Sequence, residues 1–262
     1  MNEGSRKQEE AVLHDRLRDE SLQGDQSRYR YLTSNKKYYS VARRSLDFTQ
    51  NWIRRRCSGK RALDYCCGNG NNTIFMAKNG AHAFGIDISG TSVENCRRAA
   101  AREGVGNNAS FSVMDAENMD FSDNYFDVVI CSGVLHHLNT EKAFRELARV
   151  VKPQGQIICI EPLKYNPIIQ LYRRITPQLR TQWETDHILT MGDIGIAKRH
   201  FTGIETSYFH LFSLLAVPFR NSVLFDTLLG ILEGIDSAVL KVPLVRLMAW
   251  QIVFILSGPI KQ

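Results

Sequence analysis

The chain has 262 residues, 44% of them hydrophobic and 23% charged, the ordinary composition of a soluble globular protein. Its six cysteines form no CxxC pair and show no regular spacing, which argues against a disulfide framework and favours a reducing compartment. The charged N-terminus does not resemble a signal peptide, and no apolar run reaches the roughly 18 residues of a membrane span. We therefore expect a cytoplasmic protein, with peripheral membrane contact as a second expectation.

The net charge of +6 is concentrated in one segment. Residues 28–61 carry eleven basic side chains and one acidic side chain, whereas residues 1–27 sum to −3 and the remainder to −1. This pattern leaves four interpretations open: a solvated basic face, an anionic substrate, an anionic membrane surface or nucleic acid.

The predicted secondary structure changes near Arg61, from helices alone to strands that alternate with helices. Residues 8–56 are predicted to be helical, in two or three pieces broken around Gly24 and the TSNKK stretch. After them, short apolar runs (RALDYCC, HAFGIDI, ASFSVMDA, FDVVICS, GQIICIEP) alternate with helical stretches. One predicted helix starts with a capping box, Thr91 with Glu94. Strands that are apolar on both faces and alternate with helices indicate a parallel sheet covered on both sides.

Beyond Glu161 the predicted strands and helices no longer alternate regularly. A long connection over residues 163–190 is predicted to be helical in part, and MGDIGIAKRHF to be a helix. IETSYFHLFSLL is predicted to form one or two strands, residues 221–246 an apolar helical stretch, and AWQIVFILSGP a final strand.

The ends of the predicted strands carry the polar residues. In an open parallel sheet, ligands bind beyond the carboxyl ends of the strands, here Asp64–Gly70, Asp87, Asp115, Ser132–His137 and Glu161. The loop LDYCCGNGNN departs from the dinucleotide fingerprint, because Thr occupies position 73 where a small residue is required. Its glycines allow close approach of a ligand, while the carboxylates of Asp87 and Asp115 suit ribose hydroxyls and an adenine amine.

Taken together, residues Arg61 to Pro162 resemble the core of the class I S-adenosylmethionine-dependent methyltransferases. LDYCCGNG is similar to their D-x-G-x-G-x-G loop, GIDIS to their acidic second strand, and ELARVVKPQGQIICIEP to their L-K-P-G-G turn and fifth strand. The resemblance implies S-adenosylmethionine as cofactor. The cofactor-binding residues that it implies are Asp64, Cys66, Gly68, Gly70, Asp87, Ile88, Asp115, Ala116 and Ser132, with Gly133 nearby.

The resemblance also implies an architecture. We expect a Rossmann-like α/β fold with a seven-stranded, mostly parallel sheet and an antiparallel last strand. The expected parts are an N-terminal helical cap (1–56) and a methyltransferase domain (57–262). Within that domain we expect a cofactor-binding core (61–162), an acceptor-side connection (163–190) and an apolar insertion at about 219–248. The cap and the insertion are expected to shape the acceptor side.

Cys66 occupies the position of the first loop glycine of the family. The menaquinone and ubiquinone C-methyltransferases, which this core resembles, also accept Ala or Cys there. Because successive strand side chains point to opposite faces, Cys66 and Cys67 are poorly placed to share one metal ion. No second ligand pair lies at zinc-like spacing, so we expect no metal site.

His136, His137 and Glu161 are the candidate catalytic residues. In sugar and natural-product O-methyltransferases of similar sequence, the first His of such a pair and the acid ending the fifth strand face the acceptor. A histidine there suits a general base. The alternative is that the imidazoles only pack or cap the turn.

The predicted function is methyl transfer from S-adenosylmethionine to an oxygen or carbon of a small, lipophilic acceptor. The apolar insertion has three interpretations: extra core or an oligomer interface, an acceptor pocket, or a helix at a membrane interface. Two other functions stay open, an RNA methyltransferase and a catalytically silent S-adenosylmethionine-binding partner. A nucleic-acid substrate is disfavoured, because CSGVLHH does not match the N-P-P-Y type of motif.

Overall fold

A computed structural model describes residues 3–18, 34–179, 181, 183–184 and 187–261. Its strands are β1 (Arg61–Tyr65), β2 (His82–Asp87), β3 (Ala109–Val113), β4 (Phe126–Ser132), β5 (Val151–Pro162), β6 (Phe201–Phe209) and β7 (Gln251–Pro259). They form one sheet in the order β3-β2-β1-β4-β5-β7-β6, in which β7 is antiparallel to both neighbours. The predicted Rossmann-like fold is confirmed. The chain order reverses between β1 and β4, so the ligand crevice of such a sheet lies beyond these strands.

Both faces of the sheet are buried. Leu63, Val129 and Ile157 pack into one apolar cluster, and their neighbours Ala62 and Ile130 pack into another on the opposite face. Since alternate side chains point to opposite faces, the continuous apolar runs of the strands supply both clusters. Each fully buried aliphatic side chain stabilises the fold by about 1.5–3 kcal/mol.

The helices follow the predicted alternation. They are α1 (Glu3–Arg18), α2 (Arg43–Arg54), α3 (Asn71–Lys78), α4 (Gly90–Arg102), α5 (Thr140–Val150), α6 (Pro167–Ile175), α7 (Met191–Ile196) and α8 (Phe225–Val239). α5 is amphipathic as predicted, since it buries Ala143, Leu147 and Val150 and is capped by Asn139. No helix of the described residues is long and apolar enough to cross a membrane.

The predicted capping box of α4 is wrong. The N-cap is Ser89, whose side chain accepts from the backbone N–H of Ser92, and Thr91 lies inside the first turn. The backbone N–H of Ser89 donates to the carboxylate of Asp87 at 2.9 Å. This bond holds Ser89 in the extended conformation that an N-cap requires, so the helix starts earlier than Thr91 would place it.

Three stretches differ from their prediction in detail. The sequence MGDIGIAKRHF divides into α7, a 3-10 turn over Ala197–Arg199 and the start of β6. The sequence IETSYFHLFSLL contains only the end of β6, because the chain turns at His210 (φ 66°) into a 3-10 helix, Phe212–Phe219. The apolar insertion therefore begins earlier than predicted, and it ends in a 3-10 turn over Val245–Met248.

The N-terminal segment contains α1, a 3-10 helix over Ser34–Val41 and α2. The predicted break at Gly24 lies outside the described residues. Within the described residues, Ser34–Lys37 of the TSNKK stretch lie inside the 3-10 helix, and the break between helices falls at Ala42, just before α2. α2 buries Trp52 and Ile53 in the apolar cluster on one face of the sheet.

Candidate active site

A cavity of about 410 Å³ lies at the carboxyl ends of β1, β2 and β4 and is covered by α1. The predicted site residues that line it are Asp64, Cys66, Gly68, Asp87, Ile88, Asp115, Ala116, Ser132 and His137. Among the predicted site residues, Gly70, His136 and Glu161 are not part of its lining. Residues at the ends of β1, β2 and β4 and just after the end of β3 thus meet at one place, as strand ends of a parallel sheet do.

The loop after β1 has a left-handed backbone at three positions: Cys66 (φ 58°), Gly68 (φ 54°) and Gly70 (φ 72°). Gly68 lies on the cavity side, where an added Cβ would lie 2.9 Å from the Arg18 guanidinium. Gly70 faces the interior, where an added Cβ would lie 2.8 Å from the sulfur of Cys96. Gly68 thus allows close approach to the loop from the cavity side, which the Arg18 guanidinium makes in this structure, whereas Gly70 is required by packing behind the loop.

Cys66 adopts a conformation that costs a non-glycine residue about 1–2 kcal/mol. It packs against the main core cluster, whereas Cys67 is buried with Val93 and Cys96 in a separate cluster. Burial, followed by the charge of Asp87, raises the pKa of the Cys66 thiol. The adjacent thiols therefore serve different parts of the core.

Asp64 is buried and binds the start of α3. Its carboxylate accepts from the Thr73 backbone N–H at 3.0 Å and from the Thr73 hydroxyl at 2.8 Å. Burial raises the pKa of Asp64 to about 7, although these bonds favour the ionised form. The geometry makes Asp64 a support of the loop and helix around the cavity.

Asp87 and Asp115 present carboxylates to the cavity. Asp87 accepts from the backbone N–H groups of Gly68 and Ser89, both at 2.9 Å. Asp115 accepts from the Glu117 backbone N–H at 2.9 Å and from the Lys7 ammonium at 2.8 Å. Each carboxylate oxygen has more than one lone pair, so both groups can accept further bonds from a ligand.

Glu161 lies behind the turn that follows β4. It is fully buried and accepts from the backbone N–H groups of Val134 at 2.7 Å and Leu135 at 2.9 Å. Its other oxygen lies 2.8 Å from Nδ1 of His136. Glu161 therefore orients His136 and holds the turn in place.

A second cavity of about 490 Å³ lies on the other side of this turn. His136 lines it, together with Lys164, Trp183 and His187, and Leu138 lines both cavities. The rings of Trp183 and His187 are stacked 3.6 Å apart. Because Nδ1 of His136 is bound to Glu161, Nε2 is the ring nitrogen left for a ligand.

α1 adds five residues to the first cavity that the sequence pattern did not predict, which are Arg6, Lys7, Glu10, His14 and Arg18. Their spacing, close to four residues, places them on one helix face, but this signal does not tell what the face covers. The cap was expected on the acceptor side. Instead, Lys7 contacts Asp115, and Asp15 accepts from the Ser89 hydroxyl at 2.5 Å, so α1 covers the strand ends predicted to bind the cofactor.

His137 points from the same turn towards α1. Its Nδ1 lies 3.0 Å from Oε2 of Glu10 and 3.0 Å from Oε1 of Glu184. Although burial disfavours the imidazolium, the hydrogen bond to Glu10 and the charge of Glu184 raise the pKa of His137. The two histidines of the pair therefore face different partners and different cavities.

Residues 63–159 match a family of methyltransferase domains. A demethylmenaquinone methyltransferase of Staphylococcus saprophyticus is 36% identical over 108 residues, 40% of this chain and 45% of that protein. A probable tocopherol O-methyltransferase of Oryza sativa is 35% identical over 103 residues, 38% of this chain and 28% of that protein. The chain spans less than half the length of these curated relatives. The crystal structure of the [4+2]-cyclase SpnF shares the fold, with a TM-score of 0.54 and 20% identity over 82% of each chain.

Proposed function

We propose that the chain is a class I, S-adenosylmethionine-dependent methyltransferase that methylates an oxygen or carbon of a small, lipophilic acceptor. The match of residues 63–159 to a family of methyltransferase domains and the order of the sheet support this proposal. The observation that carries the proposal is the meeting of Gly68, Asp87 and Asp115 in one cavity at the strand ends. S-adenosylmethionine, when bound, supplies an electrophilic methyl group on a sulfonium centre.

The residues of the first cavity fit this cofactor. Gly68 lets a ligand approach the loop closely in the place of the Arg18 guanidinium, and Asp87 has lone pairs for two ribose hydroxyls. Asp115 and the backbone of Ala116 would receive the adenine amine, Ile88 would pack on the ring, and Ser132 would approach the methionine end. Asp64 and Gly70 would act indirectly, by holding the loop in its left-handed course.

The second cavity would hold the acceptor. In this proposal Nε2 of His136 takes the proton of the acceptor, and Glu161 is a positioning residue that fixes the ring through Nδ1. His137, on the cofactor side of the same turn, is the other candidate for this role. Placing the acceptor in line with the methyl group would supply much of the rate enhancement.

Two observations support a lipophilic acceptor. The relatives named above act, by their names, on demethylmenaquinone and tocopherol. The insertion between β6 and β7 exposes large apolar side chains, with Val223 98% and Leu244 80% accessible. Exposed apolar side chains on an otherwise folded segment are typical of a contact surface, and we propose peripheral contact with a membrane that holds the acceptor.

One labelling experiment tests the function. The purified protein is incubated with a cell extract and S-adenosylmethionine radiolabelled in the methyl group, and the products are partitioned between organic solvent, nucleic acid and water. Label in the organic phase is expected. Label in the nucleic-acid fraction would identify an RNA methyltransferase instead. Calorimetric binding of S-adenosylhomocysteine without label in any fraction would identify a silent binding partner.

Membrane contact has its own test. Val223→Ser with Leu224→Ser is expected to reduce co-flotation of the protein with anionic phospholipid vesicles several-fold. Val113→Ser is the matched control, because Val113 is 58% exposed on β3, at the opposite edge of the sheet. Equal flotation of all three proteins, or none by the wild type, would contradict membrane contact through the insertion.

A further inference from the structure

We propose that a divalent transition-metal ion, with zinc as the best fit, binds where α1 meets the turn after β4. The ligands are Glu10 and His14 of α1, His137 of the turn, and Glu184 of the connection between β5 and β6. The proposal does not rest on methyl transfer, because metal binding is measured without turnover and, apart from His137, its ligands have no role in the proposed reaction.

The distances between the ligand atoms suit a metal ion. Nδ1 of His137 lies 3.0 Å from both Oε2 of Glu10 and Oε1 of Glu184, and Nε2 of His14 lies 3.5 Å from Oε2 of Glu10. The ligand atoms of Glu10, His14 and His137 all lie within 4.8 Å of one another. Ligands about 2.0–2.1 Å from a tetrahedral zinc ion are about 3.3 Å apart. Little movement of Glu10, His14 and His137 is therefore needed, whereas Glu184 approaches this group through its 3.0 Å contact with His137 and completes the site by moving closer.

Within the part of the chain that the structure describes, two carboxylate oxygens of this cluster compete for one donor. Nδ1 of His137 carries at most one proton, yet two carboxylate oxygens lie 3.0 Å from it. A single N–H can point at only one of these oxygens. A cation between the three atoms satisfies both carboxylates and also offsets their mutual repulsion.

Thr181 donates hydrogen bonds to the carboxylates of both Glu10 and Glu184. Its hydroxyl donates to Oε1 of Glu10 at 2.6 Å, and its backbone N–H donates to Oε2 of Glu184 at 3.1 Å. Each carboxylate therefore has one oxygen held by Thr181 and the other turned towards His137. Hydrogen bonds of this kind orient the ligands of natural metal sites.

His14 couples the site to the loop after β1. It lies one helical turn from Glu10, on the same face of α1. Arg18 donates to Nδ1 of His14 at 2.7 Å, so Nε2 carries the proton of the neutral ring. A metal ion on Nε2 replaces this proton, and Nδ1 then carries the ring proton and releases Arg18. The guanidinium of Arg18 is the group that now lies over Gly68.

Cobalt(II) titration of the chelator-treated protein tests the site. We expect one equivalent to bind, with the visible absorption of a tetrahedral site, no thiolate charge-transfer band, and displacement by zinc. Glu10→Gln and His137→Gln are expected to weaken binding at least about 100-fold, and Thr181→Val about tenfold. His82→Gln is the control, since His82 is exposed on β2 and should bind cobalt like the wild type.

Three results would overturn the proposal: no saturable cobalt binding by the folded wild type, a thiolate band, or wild-type affinity in both Glu10→Gln and His137→Gln. Circular dichroism checks that each variant is folded. Should either variant unfold, Glu184→Gln and Thr181→Val decide, since each leaves Glu10, His14 and His137 in place. Wild-type affinity in both of these would contradict the proposed ligand set.

Discussion

The two walls of the first cavity are built differently. The core wall consists of residues at strand ends, such as Gly68 and Asp87, which backbone hydrogen bonds of a seven-stranded sheet hold in place. The cap wall is α1, and among its described side chains the buried ones are Arg6 and Glu10, both charged. α1 is thus joined to the core by ion pairs and hydrogen bonds, such as Lys7 with Asp115. The core wall therefore depends on backbone hydrogen bonds, and the cap wall depends on charges that salt screens.

The largest expected effect is on the core wall. Asp87→Ala should weaken the binding of S-adenosylhomocysteine about 100-fold, about 3 kcal/mol, because two hydrogen bonds to a charged acceptor are lost. Titration calorimetry measures this change. Asp127→Ala is the control, since Asp127 lies at the start of β4, where it pairs with Lys152. Equal losses in both variants would mean that the core wall does not bind the ligand through Asp87.

The next effect concerns Asp64, which supports the core wall. Because burial raises its folded-state pKa from 3.8 to about 7, the folded chain holds this proton more tightly than the unfolded chain. The resulting stability is complete below about pH 4 and is lost as the pH rises through about 7, at up to about 1.4 kcal/mol per pH unit.

Asp64→Asn should remove this slope in urea unfolding between about pH 5 and pH 8. Asp127→Asn should keep it. The pKa of Asp127 is lowered by Lys152 and the Arg61 N–H in spite of partial burial, so that group stays ionised throughout this range. If the unfolding free energy of Asp64→Asn depends on pH as strongly as that of the wild type, the raised pKa of Asp64 is not the cause of this pH dependence.

A smaller effect is expected at Cys66. Cys66→Gly and Cys66→Ala both remove the sulfur, but only glycine adopts the left-handed backbone without cost. The glycine variant should be about 1 kcal/mol more stable to urea than the alanine variant, and it should bind S-adenosylhomocysteine at least as well as the wild type. A more stable alanine variant would argue against backbone strain at this position.

The smallest effect is expected on the cap wall. Lys7→Met frees Asp115 from its ion pair and should tighten S-adenosylhomocysteine binding about threefold, since a partly exposed pair contributes less than about 1 kcal/mol. Lys142→Met is the matched control, because Lys142 pairs with Glu3 of α1 and not with Asp115. Weaker binding in Lys7→Met would show that Lys7 assists the ligand and does not compete with it.

The sequence by itself determined the sheet, the helices that cover it and the strand-end carboxylates. These features depend on local patterns: apolar runs of strand length, helical periodicity, and a glycine loop followed by Asp87 and Asp115. Parallel strands bring their carboxyl ends to one edge, so residues far apart in the chain could be assigned to one cavity before their contacts were known.

Only the tertiary structure decided what lies behind and above these residues. Gly70 faces Cys96, Asp64 binds α3, and Glu161 holds the turn that orients His136. α1 covers the cofactor side, and Glu10 meets His137 across 127 positions of sequence. Such contacts depend on close packing, hydrogen bonds and charge pairs between segments that only the fold brings together, and they leave no periodic signal in the sequence. The packing of the folded chain therefore sets them.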